Sequence, residues 1–458
     1  MEEAKETMFG TSGIRGVVNK EITPILAMRI GAALARIFKG GLLTLGRDTR
    51  TSGQMLSAAV AAGALSGGMG VADLGVLPTP ALAYLTKSLK AVSGVMVTAS
   101  HNPPEFNGLK LFDREGRTYD RALQIQIENV YGKDEPAGID WKQLKNVSSV
   151  DHKLAYKKMI LHRISLQKRW NVAVDVGSGA AHQVAFDILR SLQCRLVAVN
   201  AQPDGFFPGR NSEPTHESLG TLMITVQKLA CDMGIAFDGD ADRVSFVDEL
   251  GRYIPGDVAL ATFASHLVQR QKGGTVAIPI DSSLSVQEAI EMHGGRIVWT
   301  KVGDADVAEG IVRANALFGG EPSGAWIHPD FHLCPDGILS AILVMKAIEE
   351  KRISAHEFFS ETPIYPLRRG KIPCSNNLKA RVMRDLASDL PKALGEKPEV
   401  TELDGVRIQV SSGWLLVRPS GTEPVIRLTV EARSEQSVEQ LFKIGHDLCI
   451  DRIREYQA

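Results

Sequence analysis

The segment Phe237-Asp238-Gly239-Asp240-Ala241-Asp242-Arg243 places three carboxylates within five residues. The apolar run MGIAF precedes it and VSFV follows, which puts it at a strand end and the loop beyond. Alternate side chains of extended backbone share a face, so the three aspartates are expected to converge. Clustered carboxylates repel one another unless a counter-charge sits among them, and a hard divalent cation with oxygen ligands meets that need. Magnesium is the natural choice, because it takes few carboxylates and shares its shell with phosphate oxygens.

Two other readings of the segment fail on single residues. An EF-hand would match Asp238, Asp240, Asp242 and Glu249, but its sixth position is Arg243 instead of Gly and both flanks look like strands. An Asp-x-Asp phosphatase loop of the haloacid-dehalogenase type would want Thr or Val at the fifth position, where Asp242 stands.

Three further loops carry chemistry. Val95 to Lys110 reads VMVTASHNPPEFNGLK, with Ser100 beside His101. Neighbours in sequence rarely face each other, and the Gly-x-Ser-x-Gly elbow of a hydrolase is missing, so a Ser-His hydrolytic pair is disfavoured. Taken alone the loop is a nucleophile or a Pro-terminated turn. Gly319-Gly320-Glu321-Pro322-Ser323-Gly324 offers an acceptor and a donor suited to sugar hydroxyls, although an ordinary turn would look the same. Arg418-Pro419-Ser420-Gly421-Thr422-Glu423-Pro424, with Arg427 beyond, gathers two arginines, two hydroxyls and glycine amides into a phosphate cradle.

These loops need elements to hold them. The runs Leu42–Gly46, Asn171–Val174 and Val276–Ile280 each lead into an Asp/Ser/Gly turn, a helical stretch and a second apolar run. That is a βαβ opening repeated at domain-sized intervals, and it predicts three related α/β domains over 1–150, 151–255 and 256–366. After Pro363-Ile364-Tyr365-Pro366 the pattern changes. A helical stretch over Leu378–Leu390, the strand-like runs VRIQV, WLLVR and VIRLTVEA, and an amphipathic helix from Glu435 to Tyr456 predict a small α+β domain over 367–458.

Composition narrows the class. With 458 residues, 44% hydrophobic and 23% charged, the chain is that of a soluble multidomain protein. A net charge of −1 without a basic block argues against nucleic acid and membrane-surface partners. Five scattered cysteines without a CxxC pair argue against a disulfide framework and fit a reducing cytoplasm. No run approaches the ~18 apolar residues of a membrane span. The acidic start MEEAKETMFG is unlike a signal peptide.

Taken together, TASHNPP, DGDADR, GEPSG and RPSGTEP resemble the phosphoserine, metal, sugar and phosphate loops of the α-D-phosphohexomutase family. FGTSGIRG at Phe9–Gly16, GRDTR at Gly46–Arg50 and Pro203-Asp204-Gly205 match as well, so the resemblance spans the chain in order. It implies three related α/β domains with mixed sheets and a C-terminal α+β domain around a central cleft. It further implies a phosphosugar mutase working through a phosphoserine and a hexose 1,6-bisphosphate. Ser100 would carry the phosphoryl group and, with Asp238, Asp240 and Asp242, hold Mg2+. Lys110 and His101 would handle protons, with the Lys110 pKa lowered by burial beside Arg15, while Arg15 and Arg243 steady phosphoryl charge. Glu321 and Ser323 would hold the sugar, and Arg418, Ser420, Gly421, Thr422 and Arg427 the distal phosphate.

Where many members have His after Ser-Gly, this chain has Ala325-Trp326, and Lys301 and Asp304 of TKVGD are the candidates to complete the sugar contacts. The GEPSG-Ala-Trp form resembles the archaeal phosphoglucosamine branch. It implies glucosamine 6-phosphate as substrate, with mannose or glucose phosphates the alternative, and a monomer or homodimer. A sugar-phosphate phosphatase or a non-catalytic sugar-phosphate-binding protein is the alternative of another class.

Overall fold

The computed structural model describes residues 8–10, 13–131, 139–149, 153–395, 398–420 and 423–457. All three expected βαβ openings form as parallel pairs. Leu42–Arg47 pairs Gly70–Val76 across the helix Gly53–Ser66, and Asn171–Asp175 pairs Arg195–Val199 across Val184–Ser191. Gly274–Pro279 pairs Gly295–Thr300 across Leu284–Glu291. Their core strands are continuous apolar runs because helices or neighbouring domains cover both faces.

Each opening continues into the same second motif. A third strand pairs parallel with the first, then returns through a tight loop as an antiparallel neighbour. These hairpins are Ser93–Val97 with Phe106–Phe112, Met233–Phe237 with Val244–Asp248, and Phe318–Gly320 with Trp326–Ile327. The resulting mixed sheets have six, five and four strands. In the first, Ile14–Val17 adds an antiparallel edge with Arg15 opposite Gly108.

The C-terminal sheet is antiparallel, with five strands ordered Leu367–Pro373, Val425–Ala432, Gly413–Pro419, Val406–Val410 and Glu399–Thr401. Helices Asn376–Ala393 and Glu435–Glu455 flank it. The strand Leu367–Pro373 (LRRGKIP) was not expected from its sequence, since only Ile372 within it is buried and its other side chains carry no apolar alternation.

One apolar core links the three α/β units, including Leu82, Tyr156, Val174, Phe237, Phe246, Ile278, Trp326 and Ile338, and the first unit has a second core of its own around Leu34, Leu45, Val60 and Leu109. The C-terminal unit has its own core around Val382, Leu415, Leu428 and Phe442. It is joined to the α/β units by a small apolar contact of Ile280, Leu284, Trp414 and Leu416. No helix among the described residues is long and apolar enough to cross a membrane.

Candidate active site

The hairpin turns of the first three sheets are the three chemically marked loops, 98–105, 238–243 and 321–325. The fourth marked segment falls between Gly413–Pro419 and Val425–Ala432, antiparallel neighbours in the C-terminal sheet. The first two loops meet directly. Ser100, buried and held at φ +50°, donates from Oγ to Asp238 Oδ2 at 2.6 Å. A left-handed conformation costs a non-glycine residue about 1–2 kcal/mol, and here it turns the hydroxyl onto the aspartates. Arg50 holds that turn by donating to the carbonyls of Ser100 at 3.0 Å, Asn102 at 2.6 Å and Phe106 at 2.9 Å. Asp48, ion-paired to Arg50, accepts from Thr98 Oγ1, whose oxygen receives the Ser100 N–H at 2.8 Å.

Asp238, Asp240 and Asp242 are buried, with ligand-capable oxygens all within 4.8 Å of one another. Their convergence was expected from extended backbone, but the segment is a turn. Asp238 accepts the Ala241 N–H at 3.2 Å, and Ala241 stands at φ +60°, so a curled loop and not a period of two brings the carboxylates together. Oδ1 of Asp240 and of Asp242 are buried without a hydrogen-bond partner. Burial first, then the charges of Asp240 and Asp242, hold the Asp238 carboxyl well above the usual carboxylate range. Carboxyl oxygens packed out of water without a hydrogen-bond partner are the donor set of a hard-cation site, so these residues fit a divalent ion.

Lys110 is buried on the returning strand and donates to Asp242 Oδ2 at 2.5 Å, with Asp304 Oδ2 at 3.6 Å. Burial works against its charge, but Asp242, Asp304 and Asp240 outweigh it and raise its pKa. The expected lowering is therefore reversed, since three carboxylates face the ammonium. Burial opposes ionisation of Asp242 in turn, yet Lys110 and Arg243 pull its pKa below the ordinary value. His101 Nδ1 lies 3.4 Å from Ser100 Oγ, so the two neighbours do approach, at the long end of a hydrogen bond. Burial, with Arg243 and Arg15 nearby, lowers the His101 pKa to about 3 and keeps the imidazole neutral. Arg15 donates to Asn102 Oδ1 at 3.3 Å.

Arg243 links the 238–243 loop to the 321–325 loop. Its backbone bridges Ala325, its N–H donates to Asp238 Oδ1 at 3.2 Å, and its guanidinium pairs with Glu213 at 3.5 Å. Glu321 accepts from Gly303 N–H at 2.8 Å and from Ser323 Oγ at 3.3 Å. Burial pushes its carboxyl up to about 7, against the pull of Arg243. Trp326, in the stretch where many members carry His, stacks on Phe263 at 5.3 Å and 13° within the core. Asp304, expected at the sugar, is engaged by Thr118 Oγ1 at 2.8 Å and by Lys110, while Lys301 is exposed.

In the fourth loop Arg418 pairs with Asp404 at 2.7 Å, and Asp404 also accepts the Val302 N–H at 3.5 Å, tying the cradle to the loop beneath Glu321. Ser420 Oγ accepts the Glu423 N–H at 3.1 Å, and Arg427 pairs with Glu423 at 3.0 Å. Gly421 and Thr422 lie outside the described residues, as do Thr11 and Ser12. The sequence reading did not single out Lys379, whose buried ammonium donates to the carbonyls of Ser420 and Glu423. A lone lysine on an amphipathic helix gives no signal of that kind. Arg50, within GRDTR, has no role in the sequence expectations, and its signal is the pairing with Asp48 two residues before.

Four family domains match the chain in order: phosphoglucomutase/phosphomannomutase alpha/beta/alpha domain I over 6–137, II over 153–251, III over 255–365 and the C-terminal domain over 372–444. The phosphoglucosamine mutase of Methanococcus maripaludis is 40% identical over 445 residues, 96% of this chain and 97% of that protein. The chain belongs to the phosphoglucomutase/phosphomannomutase family. A protein of Pyrococcus abyssi named "Probable phosphoglucosamine mutase" is 39% identical over 98% of each chain. The crystal structure of a phosphoglucomutase/phosphomannomutase family protein from Burkholderia thailandensis superposes with a TM-score of 0.87 at 25% identity, covering 98% of both chains. The N-acetylphosphoglucosamine mutase of Aspergillus fumigatus, solved with GlcNAc-6P and magnesium, shares the fold at TM-score 0.59 and 16% identity over 97% of this chain and 96% of that one.

Proposed function

We propose that the chain is a phosphoglucosamine mutase, interconverting glucosamine 6-phosphate and glucosamine 1-phosphate through phospho-Ser100 and the 1,6-bisphosphate. The observation that carries the transfer chemistry is the 2.6 Å bond from Ser100 Oγ to Asp238, which sets the hydroxyl against a buried carboxylate triad. The sugar rests on relatives near 40% identity over nearly the whole chain that bear that name. Each domain, taken as 1–150, 151–255, 256–366 and 367–458, contributes one loop.

Asp238, Asp240 and Asp242 would hold Mg2+, with phospho-Ser100 completing the set. A bound ion supplies charge neutralisation for the phosphoryl oxygens. Phosphoryl passes from Ser100 Oγ to a free hydroxyl of the hexose phosphate, breaking the Oγ–P bond and forming the new O–P bond. Lys110, an ammonium, and His101, a neutral imidazole 3.4 Å from Ser100 Oγ, are the side chains placed to exchange the protons of Oγ and of the attacking hydroxyl. Arg15 and Arg243 bear on the group in transit. The bisphosphate then turns and returns its other phosphate to Ser100. Glu321 and Ser323 hold sugar hydroxyls, with Lys301 at the rim, while Arg418, Ser420, Gly421, Thr422 and Arg427 receive whichever phosphate is not reacting.

A coupled assay over glucosamine, N-acetylglucosamine, glucose and mannose 1-phosphates tests the reading. The highest kcat/KM is expected for glucosamine 1-phosphate. Preference for mannose or glucose would overturn the sugar, and release of inorganic phosphate without isomer would overturn the mutase.

A further inference from the structure

Thr79 is a buried residue of the first α/β unit that the reaction above does not use. It opens the helix Thr79–Ser88 and grips Asp240 of the metal loop at two points. Its N–H donates to the Asp240 carbonyl at 2.9 Å, and its Oγ1 donates to Asp240 Oδ2 at 2.5 Å.

The other two aspartates are tied in the same manner. Ser100 Oγ donates to Asp238 Oδ2, and Lys110 Nζ to Asp242 Oδ2. Thus each carboxylate has one oxygen engaged by a side chain from the first unit. Oδ1 of Asp240 and of Asp242 are left buried and bare. A carboxylate with one oxygen bonded and one bare is oriented as a monodentate ligand. Without the bond, the broad terminal torsion of aspartate lets it turn away from its like-charged neighbours. Thr79 can hold this orientation because it is itself fixed. Pro78 precedes it in extended conformation, Pro80 follows within the first helical turn, and its β-branch restricts χ1.

We propose that Thr79 is a positioning residue for the cation site, its hydroxyl locking Asp240 so that Oδ1 faces the ion. This rests on the cation-site reading above. The test is Mn2+ titration of the full-length protein, stripped by chelation, with free Mn2+ followed by electron paramagnetic resonance. Wild type, Thr79→Val, Thr79→Ser and Asp240→Asn are compared, with melting curves of the metal-free proteins. Outer-shell partners are worth about 10–100-fold in metal affinity. Thr79→Val is expected to bind at least about tenfold more weakly, Thr79→Ser within about threefold of wild type, and Asp240→Asn to lose the site.

Wild-type affinity in Thr79→Val would overturn the inference while leaving the cation site standing. Equal weakening in Thr79→Ser and Thr79→Val would overturn it too, because the hydroxyl would not be the feature that matters. A wild type that binds no Mn2+ defeats the cation-site reading itself, and this inference with it. Should Thr79→Val fail to melt cooperatively, Thr79→Cys takes its place under the same criteria.

Discussion

At the scale of single residues, two buried groups carry opposite instructions. Glu321, with its carboxyl near 7, can accept from sugar hydroxyls at both oxygens only when ionised. Its charged form is lost as pH falls through about 7, so KM should rise on the acid side. A pH profile of kcat/KM should show a limb near 7 that Glu321→Gln flattens, and an unchanged limb in that variant would refute the assignment. Lys110 is instead held protonated by Asp242, Asp304 and Asp240. Lys110→Met should lower kcat by about 10²–10⁴, measured in the coupled assay. It also strands two buried carboxylates, a change that costs about 3–5 kcal/mol when one partner of a buried pair is removed, so the metal-free protein should melt at a lower temperature. Residue types were the most legible layer of the sequence, since the three aspartates announce themselves by chemistry and spacing, whereas Ser100 stands out from an ordinary turn only through the family resemblance. Their partners were not legible. Nothing local links Lys110 to Asp304, or Thr79 to Asp240, because those contacts are made only when distant units pack.

At the scale of elements, the site is one hairpin turn used repeatedly. Close backbone approach between turns is where it is most sensitive. A Cβ on Gly239 would come within 2.6 Å of the Ser100 carbonyl, and rigid backbone cannot yield there. Gly239→Ala should push the first two loops apart and cut kcat far more than it changes the melting temperature; steady-state kinetics with thermal denaturation checks the split. In the fourth unit, Lys379→Met removes the ammonium from the carbonyls of Ser420 and Glu423. It should raise KM for the sugar phosphate several-fold with little change in kcat, because it loosens the loop proposed to bind the non-reacting phosphate. The βαβ openings were readable because buried parallel strands are unbroken apolar runs beside turn residues. The returning strand Phe106–Phe112 was not, since FNGLKLF places Asn, Gly and Lys among its apolar residues. Its lysine is buried against the propensity of the residue type, paired with Asp242 and Asp304.

At the scale of the whole molecule, an apolar core links the three α/β units, the first of which also has a core of its own, and the C-terminal unit is joined to them by a small contact. Arg407 is the main polar element there. It lies between the rings of Trp299 and Trp414, 4.4 Å from each centroid, and donates to the Ile280 and Ser282 carbonyls. Glu431 accepts from Ser283 Oγ at 2.7 Å and from the Leu284 N–H at 2.6 Å across the same boundary. A small, partly polar contact favours relative motion of the joined parts, which an intermediate that must turn around would require. Hydrogen exchange should therefore release C-terminal amides in a separate, faster class than those of the shared core, and Arg407→Met should speed that class alone.

The central claim is that Ser100 carries the phosphoryl group. Intact mass of the protein after incubation with hexose 1,6-bisphosphate, followed by exchange into glucosamine 1-phosphate, tests it most directly. One added phosphate that is lost to the sugar is expected, absent in Ser100→Ala, together with loss of mutase activity in that variant. A Ser100→Ala protein that still takes up the phosphate, or turns over at the wild-type rate with bisphosphate supplied, would contradict it.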